Sequence, residues 1–170
     1  MSASPARRAP LLAIAVLAVL AVALFVTAGP PSSEAQAPAT RTIVLKELEK
    51  GSTFKHVRNT KTTNQRSMAM GDLIAFTNPL ADATGQRVGK IYVTCTGTVG
   101  NKNFLKSILT CSGVLTLRDG TMSVVANTSP GEPTTTGAVV GGTGAYAAAR
   151  GVLVSKEGSG GSDDTITLVN

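Results

Sequence analysis

From residue 42 to the C-terminus, apolar residues recur in short runs, many at every second position, and clusters of Gly, Asn, Asp, Ser and Pro separate the runs. A period of two marks a strand with one buried face, because successive side chains point to opposite sides. The pattern predicts strands over 42–49, 71–78, 87–99, 106–117, 121–128, 135–140, 151–156 and 165–169. No amphipathic helical pattern of ten residues or more interrupts them. Short strands divided by regular turn signals predict an all-β sandwich or barrel. Residues 50–70 are polar and rich in Thr and Asn, and they read as a loop beside the end of the sheet, carrying His56 and Arg58.

One hairpin has a predictable register. If Cys95 and Cys111 face each other across neighbouring antiparallel strands, Ile91 meets Leu115, Val93 meets Gly113 and Gly97 meets Leu109. One face is then wholly apolar or Gly, and Asn101-Lys102-Asn103 falls at the turn, where Asn tolerates positive φ. Tyr92, Thr94, Thr96, Thr98, Thr110, Ser112 and Thr116 share the opposite face, directed either to water or into a partly polar lumen. The apolar face serves a core or a subunit interface equally well.

The compartment follows from the N-terminus. Arg7 and Arg8 precede an apolar stretch over 11–26, with small residues around Ala28. This is the arrangement of an export signal; the stretch is short for a bilayer span, and an uncleaved anchor is the alternative. The predicted organisation is a signal peptide or anchor over 1–28, a disordered Pro/Ser/Ala-rich linker over 29–40, and one β-barrel domain over 41–170. In an exported, secreted protein the two cysteines are expected to pair.

Composition narrows the function classes. The formal net charge is +6, but no run of Lys or Arg and no basic–aromatic interleaving is present, so nucleic acid is not an expected partner. Contact with a membrane is expected only through the leader if that is retained. His56 is the only histidine and has no companion ligands, so no metal site is predicted. A lone His in a polar loop likewise supports no catalytic triad.

Two blocks carry a family resemblance. Gly71-Asp72-Leu73-Ile74-Ala75-Phe76-Thr77-Asn78, followed by Arg87-Val88-Gly89, resembles a stretch of plant allene oxide cyclases. Val139-Val140-Gly141-Gly142-Thr143-Gly144-Ala145-Tyr146, followed by Ala149-Arg150-Gly151, resembles the signature of dirigent proteins. The resemblance implies an eight-stranded antiparallel up-and-down β-barrel, commonly a homotrimer, that acts on a small apolar or amphipathic molecule without a redox cofactor. Cyclases of this kind steer ring closure, whereas dirigent proteins steer stereoselective coupling.

The resemblance also suggests residues. Asn78 stands at the cyclase Asn position, Cys95 at its Cys position, and Glu47 is the loosely aligned counterpart of the carboxylate. The chain departs from the cyclases at Glu49, where an Asn is expected, and in lacking the following Pro. Glu47 and Asn78 are thus the catalytic candidates, and Arg150, Asp72 and Tyr92 the ligand-binding ones. Each has a plainer reading: Glu47 as a solvated carboxylate, Asn78 as a turn residue before Pro79, and Arg150 as the partner of Asp163 or Asp164. Gly141, Gly142, Gly144 and Gly151 are expected to allow a structural turn, with one helical turn over 146–149 capping the barrel. A phosphate loop would need a following helix and a Lys that are not there. The alternative to a catalyst is a ligand-binding or structural envelope barrel with no chemistry.

Overall fold

The structure is a computed structural model that describes residues 39–59 and 66–169. The predicted leader over 1–28 and all but the end of the predicted linker lie outside the described residues. Nine strands follow in chain order: β1 (Thr40–Glu47), β2 (Thr53–Val57), β3 (Leu73–Ala81), β4 (Arg87–Val99), β5 (Ile108–Leu117), β6 (Gly120–Thr128), β7 (Thr134–Gly142), β8 (Arg150–Gly158) and β9 (Gly161–Val169). Every pairing is antiparallel, and the order β1-β9-β8-β7-β6-β5-β4-β3 closes through a β1–β3 pairing into an eight-stranded barrel. Closure removes the unpaired edges that an open sheet would present. Each of the eight predicted strands corresponds to one barrel strand.

The ninth strand, β2, lies in the stretch read from sequence as a loop. It pairs with β3 from Thr53↔Thr77 to Val57↔Leu73, while β1 pairs with the far end of β3 at Glu47↔Leu80. Strands β1 and β2 therefore share one edge of β3, and the chain loops out between them over 48–52. This arrangement explains Pro79. The Asn78-Pro79 step does not end β3; it falls where the partner changes from β2 to β1. The Pro79 carbonyl accepts from the Leu48 N–H at 2.9 Å. The missing proline N–H thus faces the break in the ladder, where it costs no sheet hydrogen bond.

The β4–β5 register is the one deduced from the cysteines. Ile91 faces Leu115, Val93 faces Gly113, Cys95 faces Cys111 and Gly97 faces Leu109, with an irregularity beyond Gly97. The Cys95–Cys111 disulfide is formed. The apolar face points into the barrel, and the threonine face, with Tyr92, points out and is exposed. A bridge across 16 residues contributes about 3 kcal/mol in the chain-entropy account. Replacing both cysteines by Ala is expected to lower the unfolding free energy by roughly that amount, read from urea midpoints; an unchanged midpoint would contradict the bridge.

One half of the barrel is solid. Leu80, Leu115, Met122 and Ile166 are fully buried there, packed with Leu45, Val139 and Leu168. Each such side chain contributes about 2 kcal/mol relative to exposure. A single 3-10 turn over Gly144–Tyr146 closes this end; it lies two residues before the helical turn expected from sequence. Tyr146 is buried beneath it, with the Arg41 guanidinium 5.7 Å from the ring centroid. Gly142 makes the fit possible, since a Cβ there would stand 2.2 Å from the Thr121 carbonyl oxygen and 2.5 Å from that of Tyr146. Gly141 precedes Gly142 in β7, and Gly151 is the second residue of β8, where the backbone of Thr167 passes close.

Candidate functional site

The other half of the barrel is hollow. A cavity of about 470 Å³ reaches the end where the 48–52 loop, the β4–β5 connection, the β6–β7 turn and the β8–β9 turn meet. This volume lies within the usual range for small-molecule sites. Ile91 and Val93 from β4, Val124 from β6 and Leu153 from β8 form its apolar wall, and the disulfide is part of that wall. These positions point inward because strands alternate, and they stay free because Gly113 and Ala126 supply no bulk opposite them.

The polar groups are concentrated on the seam between β1, β3, β8 and β9. The inward phase of β1 carries Leu45 and then Glu47, which is buried although it is a carboxylate. Asn78, on β3, donates its Nδ2 hydrogen to Glu47 Oε2 at 2.5 Å. The two catalytic candidates from the sequence are therefore in direct contact, and both line the cavity. Neither plain reading applies: Glu47 is not a solvated surface carboxylate, and Asn78 is not in a turn.

A third group was not singled out as functional from sequence. Asp164 is fully buried on β9, opposite Leu45 of β1 and Ser155 of β8. Neither of its carboxylate oxygens has a hydrogen-bond partner of good geometry. Burial, and then the neighbouring Glu47 charge, push its pKa up to about 8. Burial raises that of Glu47 as well, against the hydrogen bond from Asn78 and with Glu157 adding repulsion. Two carboxyls in one water-poor pocket cannot both ionise cheaply, so one keeps its proton near neutrality. Such a pair can give a proton to a bound molecule and take one back.

The ligand-binding candidates lie elsewhere. Arg150 is exposed at the closed end, where it donates to the carbonyls of Val140 and Ala149 rather than pairing with an Asp. It stands opposite Val169, whereas Asp164 lies five residues farther up β9. Tyr92 is exposed on the outer wall. Asp72 is fully buried but anchors the loop before β3. It accepts from the Asn59 and Ala69 amides at 2.7 and 3.0 Å and from His56 Nε2 at 3.3 Å. None of these three residues lines the cavity.

Asp164 did carry a signal in the sequence. Ser162, Asp164, Ile166 and Leu168 share one phase of β9, so an ionisable residue interrupts an otherwise inward-facing row. The predicted strand over 165–169 is four residues shorter at its start than β9 and leaves Asp164 outside it.

The sequence profile of the dirigent-like proteins matches residues 40–169, the whole barrel. No curated protein matches the chain. Among solved structures, a pyocyanin demethylase is 23% identical, with 77% of this chain and 100% of that one covered and a TM-score of 0.56. The pterocarpan synthase dirigent protein GePTS1 is 22% identical, with 76% and 83% covered and a TM-score of 0.53. The Diels-Alderase AbmU from Streptomyces koyangensis is 14% identical, with 76% and 62% covered and a TM-score of 0.57. At these identities the likeness concerns the fold.

Proposed function

This chain belongs to the dirigent-like protein family, and we propose that its barrel binds a small, mainly apolar molecule and steers its cyclisation or stereoselective coupling. The observation that carries this reading is the buried Glu47–Asn78 pair at the wall of a cavity of about 470 Å³, backed by the buried carboxyl of Asp164, which interacts with Glu47 without lining the cavity itself. The apolar wall holds the ligand in one folded conformer, which removes the entropy that otherwise opposes a single ring-closing geometry. The carboxyl pair moves the proton that such a reaction releases or consumes, and Asn78 fixes the orientation of Glu47. In the water-poor lumen the charge that develops is stabilised by dipoles already in place.

Export through the leader suits the bridged cysteines. Association into a homotrimer would use the outer wall, where Tyr92 and Val114 are adjacent and exposed.

The test has two arms. 1-Aminoanthracene, neutral at pH 7, is expected to gain fluorescence with the wild-type barrel, and Ala126→Leu, which fills the lumen, is expected to weaken it at least tenfold. Equal binding by both proteins would refute the cavity. Native mass spectrometry of the protein from its own host then supplies a co-purifying ligand. Its conversion is expected to fall about 100-fold in Glu47→Gln while binding persists. Unchanged conversion in Glu47→Gln would remove the role of the carboxyl, and wild-type conversion no faster than without protein would leave a carrier with no chemistry as the correct reading.

A further inference from the structure

The charges on the cavity wall are all of one sign. Glu47, Glu49, Glu132 and Glu157 line it, and among the described residues no Lys, Arg or His does. The protein as a whole has the opposite balance, with 16 Lys and Arg against 10 Asp and Glu. The acids come from four separate places: Glu47 from β1, Glu49 from the loop after it, Glu132 from the β6–β7 turn and Glu157 from β8. Lys50 and Lys156 adjoin two of them in sequence, yet neither lines the cavity. The last three acids are exposed at the opening, and Glu47 is buried below them.

Asp164 adds an independent observation. It is fully buried on the inward phase of β9 behind the lining, and its carboxyl interacts with Glu47 and Ser155. Two buried carboxyls side by side cost free energy that a cation in the cavity would offset. Among the described residues no cation pairs with Glu47; its side-chain partners are the neutral amide of Asn78 and the carboxyl of Asp164.

Building on the proposed ligand-binding function, we infer that the natural ligand is a cationic amphiphile, an apolar body bearing a protonated amine, and that carboxylate ligands such as fatty acids are excluded. The ammonium group lodges beside Glu47, the buried acid among those that line the cavity. Its apolar body lies along Ile91, Val93 and the disulfide. Glu49, Glu132 and Glu157 at the opening draw cations inward and repel anions, which gives both selectivity and a faster approach at low salt.

Three probes of equal chain length separate charge from apolar burial: decylammonium, decanol and decanoate. Each is titrated calorimetrically at pH 7 and low salt into the full chain and into its Ala126→Leu variant, the difference between the two isolating the lumen. Decylammonium is expected to bind the wild type at least tenfold tighter than decanol, and decanoate at least tenfold weaker than decanol. The double variant Glu132→Gln/Glu157→Gln, altered only at exposed positions, is expected to cut the amine preference at least threefold and leave decanol unchanged. Decanoate binding in the lumen as tightly as decylammonium would overturn the charge assignment and leave the cavity reading intact. If none of the three probes distinguished wild type from Ala126→Leu, both would fall.

Discussion

Between pH 4 and pH 8 the protein is expected to lose stability as the pH rises, the reverse of the trend that salt-bridged carboxylates produce. The cause is Asp164. Its carboxyl has an ordinary value near 3.8 and is raised to about 8 by burial and by the neighbouring Glu47. Over that interval the folded protein holds a proton that the unfolded chain has released, so unfolding gives up protons and becomes easier as pH increases. The stabilisation is complete below about pH 4 and gone above about pH 8, and Glu47, also raised, acts in the same direction. The effect is on the order of several kcal/mol.

Asp164→Asn keeps the shape of the side chain and removes the titration. It is expected to flatten the slope and to be more stable than the wild type at pH 8. Urea midpoints at pH 4, 6 and 8 provide the check. A wild-type midpoint that is level or rising across this range would show that the carboxyl ionises freely. Asp72 sets the acid limit. Burial alone would raise its pKa, but the amides of Ala69 and Asn59, together with His56, outweigh burial and hold it below its ordinary value. Its contribution is present above about pH 4 and is lost as the pH falls through the lowered value. The two carboxyls thus oppose each other and place the optimum on the acid side of neutrality.

Much of the fold was written locally in the chain. The run from Ile91 to Gly97 alternates cleanly, and two cysteines placed symmetrically about an Asn-rich turn select one register out of several. The structure has that register residue for residue. Strand β2 was harder to see because it gains little from its own side chains. Thr53, Phe54, Lys55 and Val57 are all exposed, and the strand is held by backbone pairing to one side only. Periodicity reports burial on one face, and β2 has almost none. Pro79 misled for a related reason: a sequence shows that the N–H is missing but not that the ladder is already broken opposite it.

The site divides in the same way. Glu47 and Asn78 are 31 positions apart, and only a family resemblance brought them together on paper; barrel closure between β1 and β3 brings them together in space. Arg150 and Asp72, drawn from the dirigent resemblance, and Tyr92 all lie outside the lumen: Asp72 precedes β3 and Arg150 sits at the closed end, while for Tyr92 on β4 the strand phase, not the residue type, decides which side of the wall it faces. The same rule marks Asp164 as unusual, since its row on β9 is otherwise inward-facing and mostly apolar. In a closed barrel a charged residue in the apolar phase is held against the lumen with nowhere else to go. Such a residue is a more dependable pointer to the site than any polar cluster on the outside.

Gly161→Ala is expected to cost about 3–5 kcal/mol and to dislodge Glu47, although residue 161 carries no functional group. Gly161 opens β9 with φ +136, and a Cβ added there would stand 1.8 Å from the backbone oxygen of Glu47. The obstacle is main chain, so no rotamer change relieves it; β1 must move away from β9 at the residue that places the carboxyl. The chain is already committed at this point, because the Glu49 N–H donates to the Gly160 carbonyl at 3.1 Å just beyond. The neighbouring glycine separates the two causes of strain. Gly160 also has a positive φ, +80, but a Cβ there would meet nothing within 4 Å. Gly160→Ala is therefore expected to cost only about 1–2 kcal/mol, the penalty of the backbone conformation alone. Chemical denaturation of the two variants, with 1-aminoanthracene binding as the readout for the lumen, distinguishes the cases. If both alanines cost the same and both bind the probe normally, the close passage of β1 over Gly161 does not hold the site in place.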